Sequence, residues 1–172
     1  PTVPWGQHQA DRSSTKNPLT REGEVGGYHL VWPRDLYQMA TAFLALGDSA
    51  TARAVLDYFK KTQYGPGAGM WEFSLRRRAR EGSWPQNMWV SGMPFWSSLQ
   101  IDQTAMPIIL AWRLWREGVV SAGETCPMVL KAADFIAGFG PWSAQERWEE
   151  NFGASPSTIA AERGRREGAA SH

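Results

Sequence analysis

Three stretches of the chain set charged or amide side chains beside tryptophan, a combination suited to holding a neutral polar ligand against an apolar wall. In Gly26 to Asp35 (GGYHLVWPRD), Arg34 and Asp35 follow Trp32 at the mouth of a helix, and Tyr28 stands a short extended stretch upstream. A guanidinium offers rigid donors and a carboxylate offers acceptors, so the pair can bracket vicinal hydroxyl groups. The plainer reading is that Asp35 caps the helix and Arg34 pairs with it. The second stretch, Trp84-Pro85-Gln86-Asn87-Met88-Trp89, runs on through Phe95-Trp96 to Gln100-Ile101-Asp102. Its amides and carboxylate could line a neutral site, although for Trp84 and Trp89 a turn-rich loop pinned by buried indoles is the stronger reading. The third is Gln145-Glu146-Arg147-Trp148-Glu149-Glu150. One carboxyl beside an indole and a second carboxylate can be kept protonated, as a general acid requires, whereas the ordinary alternative is a solvated charge run. Glu149 and Glu150 cannot be acid and base to each other, because sequence neighbours do not flank one bond from opposite sides.

The elements that must carry these loops read as helices. Asp35 to Leu46 repeats Leu36, Met39, Ala40, Phe43 and Leu44 at helical spacing, with Gly47 as the stop. Ser49 to Thr62 gives a second stripe of Ala52, Val55, Leu56 and Phe59, so the two predict an antiparallel hairpin turned at Gly47-Asp48. Thr104 to Glu117 is apolar nearly all round and predicts a buried helix with Pro107 in its first turn. Thr125 reads as the N-cap of a fourth helix, with Val129, Leu130, Ala133 and Ile136 buried and Gly138 and Gly140 ending it. Ser155-Pro156 opens a fifth. No strand alternation of any length is present, and the class is all-α.

Composition narrows the partners. Eighteen basic residues against seventeen acidic give a formal net charge of +1, which points to an uncharged ligand and away from nucleic acid or an acidic membrane surface. The lone Cys126 excludes an intramolecular disulfide and a multi-cysteine zinc site, and Pro127 behind it suggests a helix start. No metal and no cofactor is expected. No apolar run reaches membrane-spanning length, and no compartment is readable. Ten tryptophans are an excess, most of them expected in the core, but indole faces also suit the C–H faces of a pyranose ring.

The segments GGYHLVWPRDL, WPQNMW with GMPFWSSLQIDQTAMPI, and QERWEE with SPSTIAAE, in this order, resemble the bacterial branch of the family 15 glycoside hydrolases, the glucoamylases, glucodextranases and relatives. The resemblance runs from Val3 to Glu162. It implies an incomplete (α/α)6 toroid of helical hairpins with long functional loops on one rim. Residues 1–172 would then be a partial catalytic domain holding slightly under half of that barrel. It also implies exo attack on the non-reducing end of an α-glucan with inversion, releasing β-glucose. Carried over position by position, Arg34 and Asp35 match the pair gripping hydroxyls of the terminal glucose, and Tyr28 and Trp32 match its aromatic walls. Trp96 matches a tryptophan that contacts the sugar and supports the acid; Glu149 matches the general acid; Trp148 and Glu150 match substrate-binding positions. No residue here matches the family's general base.

Two departures stand out. Tyr64 to Arg80 reads as an insertion with Arg76-Arg77-Arg78 in a solvated loop, and Ser91 stands where relatives commonly have an acidic residue. Arg163 to Gly168 abandons the apolar stripe, which reads as an artificial end or a shifted frame. The expectation is a fragment with the general acid and without the base, inactive alone. The alternative is a non-catalytic sugar-binding or structural helical fragment. Preference among α-1,4-glucan, α-1,6-glucan and trehalose stays open.

Overall fold

Pro33 opens the first helix, since its fixed φ is already helical and its missing N–H is one the first turn does not use. In the computed structural model, which describes residues 30–66, 80–96, 98–145, 152–154, 156, 158–161 and 163, this helix α1 spans Pro33–Ala45. Helix α2 follows at Ser49–Thr62, then two short strands, β1 (Asn87–Met88) and β2 (Pro94–Trp96), then α3 (Ile101–Arg116) and α4 (Ala122–Phe139). Residues 158–161 are again helical, within the fifth helix expected at Ser155-Pro156.

Both inter-helix turns use one device. Gly47 has φ 83° and donates to the Leu44 carbonyl, while Asp48 N–H reaches back to Phe43, which satisfies two carbonyls that the end of α1 would leave orphaned. Gly118, φ 71°, repeats this at the end of α3, with Gly118 N–H on Trp115 and Val119 N–H on Leu114. Each turn then starts the next helix with a side-chain cap. Asp48 accepts from Thr51 N at 3.0 Å and from its hydroxyl at 2.6 Å. Ser121 and Glu124 form a reciprocal capping box on α4, and Arg53 of α2 also pairs with Glu124.

α1 packs on α2 and α3, α2 on α3, and α4 on α3. The shared core is built from Ala40, Leu56, Phe59, Ile108, Leu114 and Ile136, all but inaccessible, and Trp84 is sealed into it from the loop. The described helices thus make two hairpins side by side, and the intervening segments return to the end of α1 that begins at Pro33.

Several sequence expectations need correction. α3 begins at Ile101 instead of Thr104, so Pro107 lies past the first turn, where it removes one intrahelical hydrogen bond. α4 is capped by Ser121, not Thr125; Thr125 sits in the first turn with its hydroxyl on the Ser121 and Ala122 carbonyls. The Cys126-Pro127 pair is therefore inside α4, and the helix passes through Gly138 to end at Gly140. Leu130 is exposed, because the buried face is set by Met128, Val129, Ala132, Phe135 and Ile136; Met39 of α1 is exposed for the same rotational reason. The two strands were not expected, since pairings two and three residues long carry no readable alternation.

The caps predict an acid response. Hydrogen bonds from Thr51 hold Asp48 below the usual carboxylate range, and hydrogen bonds from Ser121, aided by Arg53, do the same for Glu124. Groups depressed in the folded state contribute stability that is present above their unfolded-state values and lost as pH falls through the folded ones. Melting followed by circular dichroism is expected to shift downward as pH drops through and below about 4. Glu124→Gln should flatten part of that dependence, and an unchanged slope in this variant would count against the cap.

Candidate functional site

The candidate site forms where the start of α1, the strand pair and the start of α3 meet. Val31 makes a two-way backbone bridge with Met88, its N–H donating to the Met88 carbonyl at 2.7 Å and its carbonyl accepting from Met88 at 3.0 Å. β1 in turn pairs antiparallel with β2, with Asn87 opposite Trp96. This ladder carries the segment before α1 to within one short strand of Trp96. The indoles of Trp32 and Trp96 meet edge to face at 6.2 Å. Phe95 and Trp89 continue the aromatic run, with centroid distances of 5.5 Å from Trp96 to Phe95 and 5.2 Å from Phe95 to Trp89. The Asn87 side-chain oxygen accepts from Trp96 N at 2.9 Å, which fixes the strand that bears the indole.

Arg34 stands in the first turn of α1, two residues after Trp32, and its surroundings differ from the simple pairing with Asp35. Its Nη1 donates to Asp102 Oδ2 at 3.0 Å and to Gln100 Oε1 at 3.2 Å. Its backbone N–H donates to Gln103 Oε1 at 2.7 Å, so a side chain of α3 caps the start of α1; Trp32, at the N-cap position, has no capping side chain. Asp35 therefore does not cap the helix. Its carboxylate lies 3.9 Å from Arg34 Nε and is largely exposed, 61%, whereas the Arg34 and Asp102 side chains are 9% and 3% exposed. One edge of the guanidinium is thus committed to α3. The other, Nε and Nη2, faces the Asp35 side, and among the described residues Nη2 has no hydrogen-bond partner.

The third segment is rooted at the same place. Ser143 and Gly153 bridge each other through two backbone bonds of 3.1 Å. Ser143 Oγ accepts from Ile101 N at 3.3 Å and lies 3.1 Å from the Leu99 carbonyl, and Ala144 N donates to Leu99 at 3.0 Å. These bonds tie Ser143, and through it Gly153, to the first residues of α3, next to Gln100 and Asp102. Trp148, Glu149 and Glu150 lie outside the described residues, as do Tyr28 and Arg76-Arg77-Arg78.

Of the site residues named from the sequence, Trp32 meets Trp96, and Arg34 lies beside Asp35. The structure adds Gln100 and Gln103, which the pattern did not single out as partners of Arg34, and gives Asp102 a specific role beside them. A signal existed: a carboxylate in the first turn of a helix apolar on every face needs a cation, and the nearest basic side chain along α3 is Arg113, about two turns further on than Asp102 can reach. Among the described residues no cluster of three or more His, Cys, Asp or Glu side chains could hold a metal, and no helix is long and apolar enough to cross a membrane.

Comparison with known proteins agrees with this architecture. The glucoamylase of Clostridium sp. (strain G0005) is 41% identical over 161 residues, covering 94% of this chain and 18% of that protein's length. The crystal structure of a bacterial glucoamylase complexed with acarbose superposes with a TM-score of 0.65 at 36% identity, covering 86% of this chain and 22% of that one. The chain thus spans about a fifth of the length of these relatives, and its helical hairpins are of the (α/α)6 toroid class. The pattern described as Glycosyl hydrolases family 15 matches residues 12–169, so the chain belongs to that family.

Proposed function

We propose that this chain is the part of an inverting, exo-acting α-glucoside hydrolase, of glucoamylase or glucodextranase type, that holds the terminal sugar and supplies the general acid. The observation that carries the reading is the divided guanidinium of Arg34. One edge is held inside the protein, and the other is left with the exposed Asp35 carboxylate, on the first turn of the helix that Trp32 of the Trp32–Trp96 pair precedes. Donors on one side and acceptors on the other suit two neighbouring hydroxyls of a pyranose, and the indoles suit its C–H faces. A buried arginine whose outer edge is left to an exposed carboxylate favours a sugar site over a helical interaction module whose tryptophans serve only the core.

In this reading Tyr28, Trp32, Trp96, Trp148 and Glu150 surround the non-reducing glucose of an α-glucan. Protonated Glu149 gives its proton to the glycosidic oxygen as the bond to the anomeric carbon breaks. A carboxylate that no residue of this chain matches would remove a proton from a water attacking the opposite face, and the product is β-glucose. Inversion requires the two carboxyls to stand roughly 6.5–9.5 Å apart so that the water fits between them.

Titration of the chain with maltotriose, followed by tryptophan fluorescence, tests the sugar site. Asp35→Asn is expected to weaken binding by about tenfold to a hundredfold, the range for hydrogen bonds made to a charged group. Equal affinity in the variant, or no response in the wild type, would remove the sugar reading.

A further inference from the structure

The side chains at the start of α3 do more than fill space under Arg34. Gln100 Oε1 accepts from both Arg34 Nη1, at 3.2 Å, and Gln103 Nε2, at 2.8 Å. Gln103 then uses its own oxygen on the Arg34 backbone N–H, at 2.7 Å. Asp102 Oδ2 completes the set at 3.0 Å from Nη1. Backbone and side chain of one arginine are thus gripped by three polar side chains at the start of another helix, all buried: Gln100 1%, Asp102 2%, Gln103 0% exposed. A freely rotating guanidinium could present any of its edges to a ligand; this one has its inner edge taken.

We infer that Asp102, with Gln100, is a positioning residue: it locks the Arg34 guanidinium by Nη1 so that only Nε and Nη2 are offered to a sugar hydroxyl. The inference rests on the sugar-site reading above for its ligand, but the clamp itself is independent of it. Two physical points support it. A buried cation hydrogen-bonded to a buried carboxylate is held in place by the cost of separating them. The geometry also leaves Asp102 Oδ1 buried with no hydrogen-bond partner among the described residues, so the carboxylate has no competing contact to pull it from Arg34. Planar, fork-shaped arginine can divide its donors in this way, whereas lysine has one nitrogen and cannot.

Asp102→Asn is the test. Its amide oxygen can still accept from Nη1, but without charge assistance, and its NH2 would occupy the Oδ1 position, where no acceptor among the described residues awaits it. In the wild-type chain the Arg34 guanidinium proton signals in the NMR spectrum should be separate, reporting slow rotation about the Nε–Cζ bond. In Asp102→Asn they should average, and maltotriose affinity should fall about tenfold or more, as expected when a charge-assisted bond is weakened. Asp102→Glu, which keeps the carboxylate, should restore separate signals. If Asp102→Asn does not fold, Gln100→Met removes the second acceptor without stranding a charge and is expected to move both readouts in the same direction by less.

Separate Arg34 signals in a folded Asp102→Asn, or in Gln100→Met where that variant is used, would overturn the clamp, even if the melting temperature had dropped. A merely structural Asp102 moves only that temperature. Averaged Arg34 signals in Asp102→Asn together with no maltotriose uptake by the wild type would support the clamp and sink the sugar reading.

Discussion

In the full-length enzyme, Glu149→Gln is expected to lower the rate of glucose release by about a hundred- to ten-thousand-fold, the usual contribution of a general acid. Gln keeps the shape and the hydrogen-bonding oxygen of Glu but has no proton to give the leaving oxygen. Binding of the terminal sugar is assigned to other groups, so the loss should fall on kcat with KM little changed. Glu150→Gln is the informative neighbour. If Glu150 binds substrate, its removal raises KM more than it lowers kcat, and the two variants separate kinetically although their side chains are adjacent in sequence. Glu149 falls between Ser143 and Gly153, which bridge each other, with Ser143 fixed in turn to Leu99 and Ile101. Anchored flanking residues are what a proton donor needs, because a displacement of about 1 Å at the reacting atoms can cost a hundredfold. Assay with maltotriose at saturating concentration decides the matter: near-normal turnover by Glu149→Gln would reject Glu149 as the acid.

The helices were legible because their signals are local. The first hairpin could be read from its stripe and from Gly47-Asp48 alone, since a positive-φ glycine followed by an aspartate cap is a complete stop-and-start instruction. The start of α4 was misread by four residues because two capping candidates compete. Thr125 precedes the apolar stripe more directly, but Ser121 has Glu124 three residues on, and the reciprocal box prevailed. The start of α3 was misread for a different reason. Ile101, Asp102 and Gln103 look like loop beside Gln100, and only the long-range demand of Arg34 makes these polar side chains acceptable in a buried first turn. The same limit hid the clamp. Arg34 and Asp102 stand 68 positions apart, and nothing in either neighbourhood names the other, whereas Arg34 and Asp35 are adjacent and invite a pairing that the structure shows at only 3.9 Å. Residue types around the site were readable; which cation faced which anion was not.

Trp84→Ala is expected to destabilise the fold by about 3–5 kcal/mol, the cost of emptying a large aromatic site in a packed core. Trp84 is 1% exposed and meets Phe59 edge to face at 5.8 Å, while its indole N–H donates to the Phe59 carbonyl at 3.1 Å. That carbonyl belongs to the last turn of α2, so one side chain both fills the core and ties the loop to the helix end. Trp84→Phe should retain most of the packing and lose the hydrogen bond, for a smaller loss of about 1–2 kcal/mol. The pair of variants separates the two contributions in chemical denaturation. The consequence should reach the site. Trp84 is three residues before Asn87, whose side chain holds Trp96 N, and four before Met88, which holds Val31. If Trp84 anchors this ladder, then under conditions where Trp84→Ala remains folded its maltotriose affinity should fall with its stability, and Trp84→Phe should bind nearly as wild type. Loss of stability with unchanged affinity would instead mean that the aromatic wall is held by the ladder alone, and that Trp84 serves only the core.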